Sequence, residues 1–273
     1  MIKIFHEAPK SIFKHVQEFT DGDYALVHLF ESDPEYFAFF ENAVKEGREV
    51  ILDNSVFELE KAFDPERFLY WINRLKPAYY IVPDVLEDAE GTIGNMVDWI
   101  ENYKPRVVAG PKMIGVVQGN DYESIEQCYL YMDRQANVDK IAISFDYRYY
   151  QDSYPHPNKL ISWSLGRVKL LGDLERSGVL NRHKPHHLLG CGTPGEGIFY
   201  SQPEFNYIDS VDTSSPTLHS LFGVQYRGPL GLQTKISSKL VDHIEDRVDF
   251  ETWKITKHNI QEFRRMWQGD YGL

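Results

Sequence analysis

Cysteine is scarce in this chain: 273 residues carry two, Cys128 and Cys191. Two cysteines cannot build a Cys-rich zinc site or a disulfide framework, and their scarcity fits a reducing, cytoplasmic setting. Basic charge is also short, since 29 Lys and Arg face 41 Asp and Glu for a formal net charge of −12. A protein that owed its affinity to phosphate neutralisation would carry a basic excess, so any polyanion contact needs a local basic patch. Candidates are Arg134, Lys140 and Arg148, or the set Arg182, His183 and Lys184. The N-terminal "MIKIFHEAPK" lacks an apolar signal core, and no run is long enough to span a membrane. Low-complexity linkers, sequence repeats, a Walker loop, a Gly-x-Gly-x-x-Gly after the first strands and a Gly-x-Ser-x-Gly elbow are all missing. So are His-x-His, His-Glu-x-x-His and clustered Cys/His spacings, and no metal or cofactor is expected. "RHKPHH" (182–187) holds three histidines but is read as lying just before a strand, on the face opposite the expected site.

What is present is a rhythm. A short apolar run, a polar cluster and a helical segment recur, with runs at 24–30, 49–55, 78–84, 112–120, 139–146, 186–194 and 205–216. Asp33-Pro34 and Asp64-Pro65 are good helix starts, because Asp caps the first turn and Pro fits its first position. The runs do not alternate cleanly in polarity, which is the pattern of strands buried on both faces of a parallel sheet. Seven β-then-α units in one domain, 1–273, predict an α/β protein of the (β/α)8 TIM-barrel class. An eighth strand is expected within 232–240, and a closing helix over 255–267.

In such a barrel, chemistry sits where strands end. Those ends give Asp53, Asp84, Gln118, Asp146, the Gly190-Cys191-Gly192 loop, Asp209 and Asp212. Each Asp alone is an ordinary turn former or helix cap. As a set, carboxylates without a metal suit reaction at an anomeric carbon: one ionised carboxylate attacks or stabilises the centre, and a second group moves a proton on the leaving group. If that leaving group is a nucleobase, acids and amides such as Asp84 and Gln118 can read its edge, and an aromatic or apolar pair can hold its faces. Gly119 would let backbone approach a ligand closely. The glycines of "LLGCGTPGEG" could cradle a phosphate, or let a flat ligand pack on Leu189.

The order "LDNSVFE", "VPDV", "GVVQG", "LLGCGTP", "IDSVDTSSP" resembles the signatures of the tRNA-guanine transglycosylase superfamily over roughly residues 50 to 240. The resemblance implies a (β/α)8 barrel that exchanges guanine for a 7-deazaguanine in nucleic acid. It implies Asp209 as nucleophile, Asp53 as the proton-transfer group and Phe57 as the base-stacking ring. Asp84 and Gln118 would read the base, Leu189 and Gly190 would cover its other face, and Asp212 would line the site. Backbone contacts to the base would fall at Ser144 and Phe145. The chain departs from the tRNA enzymes in lacking their three-Cys, one-His zinc site and in carrying "DTSSP" after the nucleophile. It also has Asn54-Ser55-Val56 where they have a glycine pair, and Glu58 for a glutamine. A compact, zinc-free chain is most similar to the phage and bacterial branch that inserts 7-deazaguanines, such as preQ0, into DNA. The expected partners are therefore nucleic acid, DNA favoured over tRNA, a 7-deazaguanine base and a second copy of the chain. The alternatives at the same site are a hydrolytic DNA or nucleoside glycosylase and a tRNA-guanine transglycosylase.

Overall fold

A computed structural model of the protein describes residues 1–145, 147–227 and 235–270. Eight strands form one parallel sheet in the order β1-β8-β7-β6-β5-β4-β3-β2, with helices between them, the strand order of a (β/α)8 TIM barrel. They are β1 (Lys3–His6), β2 (Asp23–Leu26), β3 (Val50–Asp53), β4 (Tyr79–Ile81), β5 (Lys112–Val117), β6 (Lys140–Ile143), β7 (His186–Leu188) and β8 (Ile208–Thr213). Seven match the apolar runs. The eighth is the first in the chain: β1 stands where only a non-secretory N-terminus was read. The stretch expected to supply it has no strand over residues 235–240, and 232–234 lie outside the described residues. The physical reason is length: four residues with Lys3 at one end and His6 at the other leave too little apolar run to register.

The chain divides into two compact units, Gly22–Ser144 and Met1–Asp21 with Phe145–Leu273. In the first, β2 to β6 pair in sequence. Tyr80 packs on Phe68 and Trp99 of the flanking helices, so the alternate residues Ile51, Tyr79, Ile114 and Lys140 turn to the helix-free face. On the helix side, a Cβ at Gly115 would lie 3.0 to 3.2 Å from Met132, Met96 and Val138, so the glycine lets the helices sit tightly on β5. The helix starts behave as their sequence predicts. Asp33 accepts from the backbone N–H of Glu35 and Tyr36, and Asp64 from that of Arg67.

In the second unit β8 lies between β1 and β7. His6 packs edge-on against Phe263 of the Phe250–Trp267 helix, so His6 and Ile4 face helices and Phe5 faces away. Phe5 is opposite Asp212 and its ring meets His187, which sets those residues on the helix-free face. The closing helix begins five residues earlier than the 255 expected, at Phe250, where Asp249 accepts from the Thr252 N–H.

Candidate functional site

In the Gly22–Ser144 unit, three successive strand ends share one buried network. Asp53 closes β3 on the helix-free face and accepts from the Ser55 N–H at 3.0 Å. The next residue, Asn54, donates from Nδ2 to the Val82 carbonyl and to Asp84 Oδ1 at 2.9 Å, and its own Oδ1 accepts from the Val56 N–H. Gln118 donates to Asp84 Oδ2 at 2.6 Å and accepts from the Glu87 N–H. Asn54, Asp84 and Gln118 are all buried. Burial pushes the Asp84 carboxyl above its ordinary range, against the two amide donors that favour its ionised form. Each carboxylate oxygen still has a second lone pair, so the pair of amides orients Asp84 without exhausting it. Below the network, burial lifts the Cys128 thiol to about 12, while the Gln118 N–H and the Asp84 charge act on it in opposite directions. That thiol is a packing group.

Phe57 is 42% exposed on a four-residue helix, Val56–Leu59. The two residues bracketing this helix, Ser55 (φ 62°) and Glu60 (φ 59°), are both left-handed, a conformation costly for any residue with a Cβ. Leu59, Val85 and Leu86 are exposed on the same two strand-end segments. Gly119 has a different reason to be glycine than the one expected. A Cβ there would sit 2.7 Å from the Ile125 N and from Ser124 Oγ, so the absence of a side chain lets the Tyr122–Arg134 helix start close to the strand end. Ser144 follows β6 and is buried.

In the other unit the strand ends of β7 and β8 carry a second polar group. Asp212 Oδ1 accepts from His187 Nε2 at 3.0 Å and from the Gly190 N–H at 3.0 Å. Among the described residues Oδ2 accepts no hydrogen bond. His187 Nδ1 lies 2.9 Å from Ser210 Oγ. A carboxylate only accepts, so Nε2 carries a proton, while Nδ1 meets a hydroxyl that can donate or accept. The histidine is therefore held at both nitrogens, and it fixes the Asp212 rotamer. "RHKPHH" was expected before the strand. Its last two residues are instead the start of β7, and His187 turns to the helix-free face.

Asp209 is corrected in position. It is the second residue of β8, four before the strand's last residue Thr213, and it is the extra residue at a bulge, because His186 pairs with Ile208 and His187 with Ser210. Asp212, fifth in the strand, is the carboxylate at the C-terminal end. Asp146, also read as a strand end, lies outside the described residues.

The loop after β7 is clamped from behind. Arg167 is fully buried, pairs with Glu196 at 2.8 Å, and donates to the carbonyls of Leu189 and Gly190 at 3.2 and 3.0 Å. Thr213 and Ser215 both donate to the Cys191 carbonyl at 2.8 Å. With these carbonyls engaged, Gly190 (φ +66°) is left to aim its N–H at Asp212. Burial works most strongly against the Arg167 cation, but the Glu196 charge together with Tyr200, Cys191 and Tyr150 outweighs it and raises its pKa. Phe145 belongs to this packing. A Cβ on Gly192 would meet its ring at 2.6 Å, so the half-buried Phe145 ring fills the space beside the loop.

Arg167 escaped the sequence reading, though it left a signal: it lies four residues after Trp163 and three before Leu170, on the apolar stripe of the Lys159–Arg176 helix. Asn54 and His187 were noted, the one as a departure from the family pattern and the other within "RHKPHH", but neither was assigned to these networks. Among the described residues no group of three or more His, Cys, Asp or Glu is placed to hold a metal ion, and no helix is long and apolar enough to cross a membrane. No family model matches the chain, and no curated protein matches it.

Proposed function

We propose that the protein is a base-exchange transglycosylase that replaces guanine in DNA with a 7-deazaguanine. One observation carries the reading. The five motifs that resemble the transglycosylase superfamily fall at the ends of β3, β4, β5 and β7 and along β8 into the turn after it, in chain order. Strand carboxy ends are where barrels of this class keep their chemistry. A detail agrees: Ser55, at one of the positions where the family carries a glycine, adopts the left-handed conformation that glycine takes without strain.

In this reading Asp84, oriented by Asn54 and Gln118, reads the edge of the base, and Phe57 supplies a stacking ring. The attacking carboxylate is Asp212, not the Asp209 to which the motif points. Asp212 has one oxygen held by His187 and Gly190 and the other accepting no hydrogen bond among the described residues, which suits a nucleophile whose orientation is fixed in advance. Its oxygen bonds to C1′ as the C1′–N9 bond breaks, and the bonding pair leaves with guanine. Asp53 passes a proton to the departing base and takes one from the incoming 7-deazaguanine, whose N9 then displaces the carboxylate. The target nucleotide must first leave the stack, at a cost of a few kcal/mol, roughly.

The test is incubation with labelled guanine and DNA or tRNA. Label in DNA is expected. Label only in tRNA moves the substrate, guanine release without uptake of label makes the protein a glycosylase, and no change in either polymer overturns the reading. Asp212→Asn should lower exchange by about 10³-fold or more, as removal of a nucleophile does. If Asp209→Asn does so and Asp212→Asn does not, the assignment of the nucleophile falls.

A further inference from the structure

Charge is segregated between the two units. The Gly22–Ser144 unit has 11 Lys and Arg against 23 Asp and Glu, and the remainder of the chain has 18 against 18. The whole net charge of −12 thus resides in one unit, and the other carries as many cations as anions. Within that neutral unit, two lysines converge on one ring. Lys159 Nζ lies 4.4 Å and Lys235 Nζ 4.5 Å from the ring centroid of Trp163. The two ammonium groups are no farther apart than the sum of those distances. Both residues are exposed, while Trp163 is buried beneath them. Lys159 forms no ion pair among the described residues. The indole N–H of the same Trp163 is buried with no hydrogen-bond partner among the described residues.

The cation–π contacts fix where both ammonium groups stand before any ligand arrives. Trp163 is also edge-on to Phe145 at 5.0 Å, and Phe145 packs on Gly190 and Gly192, the loop that donates to Asp212. The cation pair is therefore joined through two ring contacts to the strand end assigned to attack.

We infer that Lys159 and Lys235, seated on Trp163, bind a backbone phosphate of the nucleic-acid substrate. This inference rests on the nucleic-acid reading above. Phosphate contacts of this kind position the polymer without reading its sequence.

The experiment measures binding of an unmodified oligonucleotide as a function of salt for the full chain, the Lys159→Ala/Lys235→Ala variant and a Lys45→Ala control. Lys45 sits on the acidic unit and pairs with Glu41. Loss of two phosphate contacts should flatten the slope of log K against log salt by about 1.4 for single strands or about 1.8 for duplex, alike for unrelated sequences. Lys45→Ala should leave the slope unchanged, and Lys159→Arg/Lys235→Arg should restore it. An unchanged slope in the double alanine variant, or an equal loss in the control, overturns the inference even if base exchange proceeds. A flattened slope with no exchange by the parent protein keeps the phosphate site and discards the reaction. If the parent binds no oligonucleotide at all, the site falls as well.

Discussion

His6 makes the protein acid-sensitive by an amount that the structure sets. It is the last residue of β1, buried, packed edge-on against Phe263 at 5.5 Å, and neither ring nitrogen has a hydrogen-bond partner among the described residues. Burial, with help from the Arg264 charge and against that of Asp21, pulls its pKa from 6.5 down to about 3. In the unfolded chain the ring recovers its ordinary value. Between those two values the unfolded state binds a proton that the native state refuses, so native stability is complete above about pH 6.5 and falls as the pH drops toward 3. At about 1.4 kcal/mol per unit, the full loss is about 4–5 kcal/mol, and about 2 kcal/mol is gone by pH 5. Against a typical total of about 5–15 kcal/mol, that is a substantial share. His6→Leu removes the titration and two unsatisfied buried nitrogens together. Urea denaturation of both proteins at pH 7, 6 and 5 should show the difference in their stabilities growing by about 2 kcal/mol in favour of the variant. Other groups titrate alike in both proteins and cancel. Parallel pH profiles for the two, or a native His6 resonance that titrates near 6.5, would refute the argument. His6 pairs with Thr213, one residue past Asp212, so acid should loosen that strand end in particular.

Two further outcomes follow from the geometry of the strand-end loops. Glu60→Gly should stabilise the protein by about 0.5–1 kcal/mol in the same denaturation assay, because the left-handed φ of 59° strains any residue with a Cβ and Glu60 is exposed. Arg167→Met should cost about 3–5 kcal/mol by leaving Glu196 buried and unpaired, whereas Arg167→Met/Glu196→Leu should cost less than the single change; a double variant worse than the single would show that the loop carbonyls, not the stranded charge, dominate.

The barrel was legible because its signal is repetitive. Seven apolar runs, each followed by a helix start such as Asp33-Pro34, leave little freedom in fold class. β1 was not legible, since a four-residue strand in a parallel sheet draws its identity from pairing with β8 rather than from its own residues. The site divides in the same way. Asp53, Asp84 and Gln118 could be named because each follows an apolar run directly. Their network could not, as it depends on Asn54 reaching 30 residues along the chain to Asp84. That Asp209 sits at a bulge opposite His186 and His187 could not be read either, because one extra residue in a short strand leaves no mark in its sequence. His187 was misread in its placement: the histidine cluster was set on the face opposite the site, whereas His187 turns to the helix-free face and meets Asp212.

The segment from Asp53 to Glu60 shows how stability and exposure are set against each other at one strand end. Its polar part is rigid: Asn54 is engaged at both side-chain atoms, and the Ser55 N–H returns to Asp53. Its apolar part is presented, with Phe57 and Leu59 exposed on a single helical turn. A turn that short has no helical stability of its own, and both of its flanking residues take a conformation that costs each of them energy. Relaxing either residue toward the right-handed region would swing the turn and with it the Phe57 ring. The Asn54 network opposes that by fixing the backbone at Val56, the first residue of the turn. The buried amide and the exposed ring therefore act together: the bonds of Asn54 hold the strain that keeps Phe57 in the open.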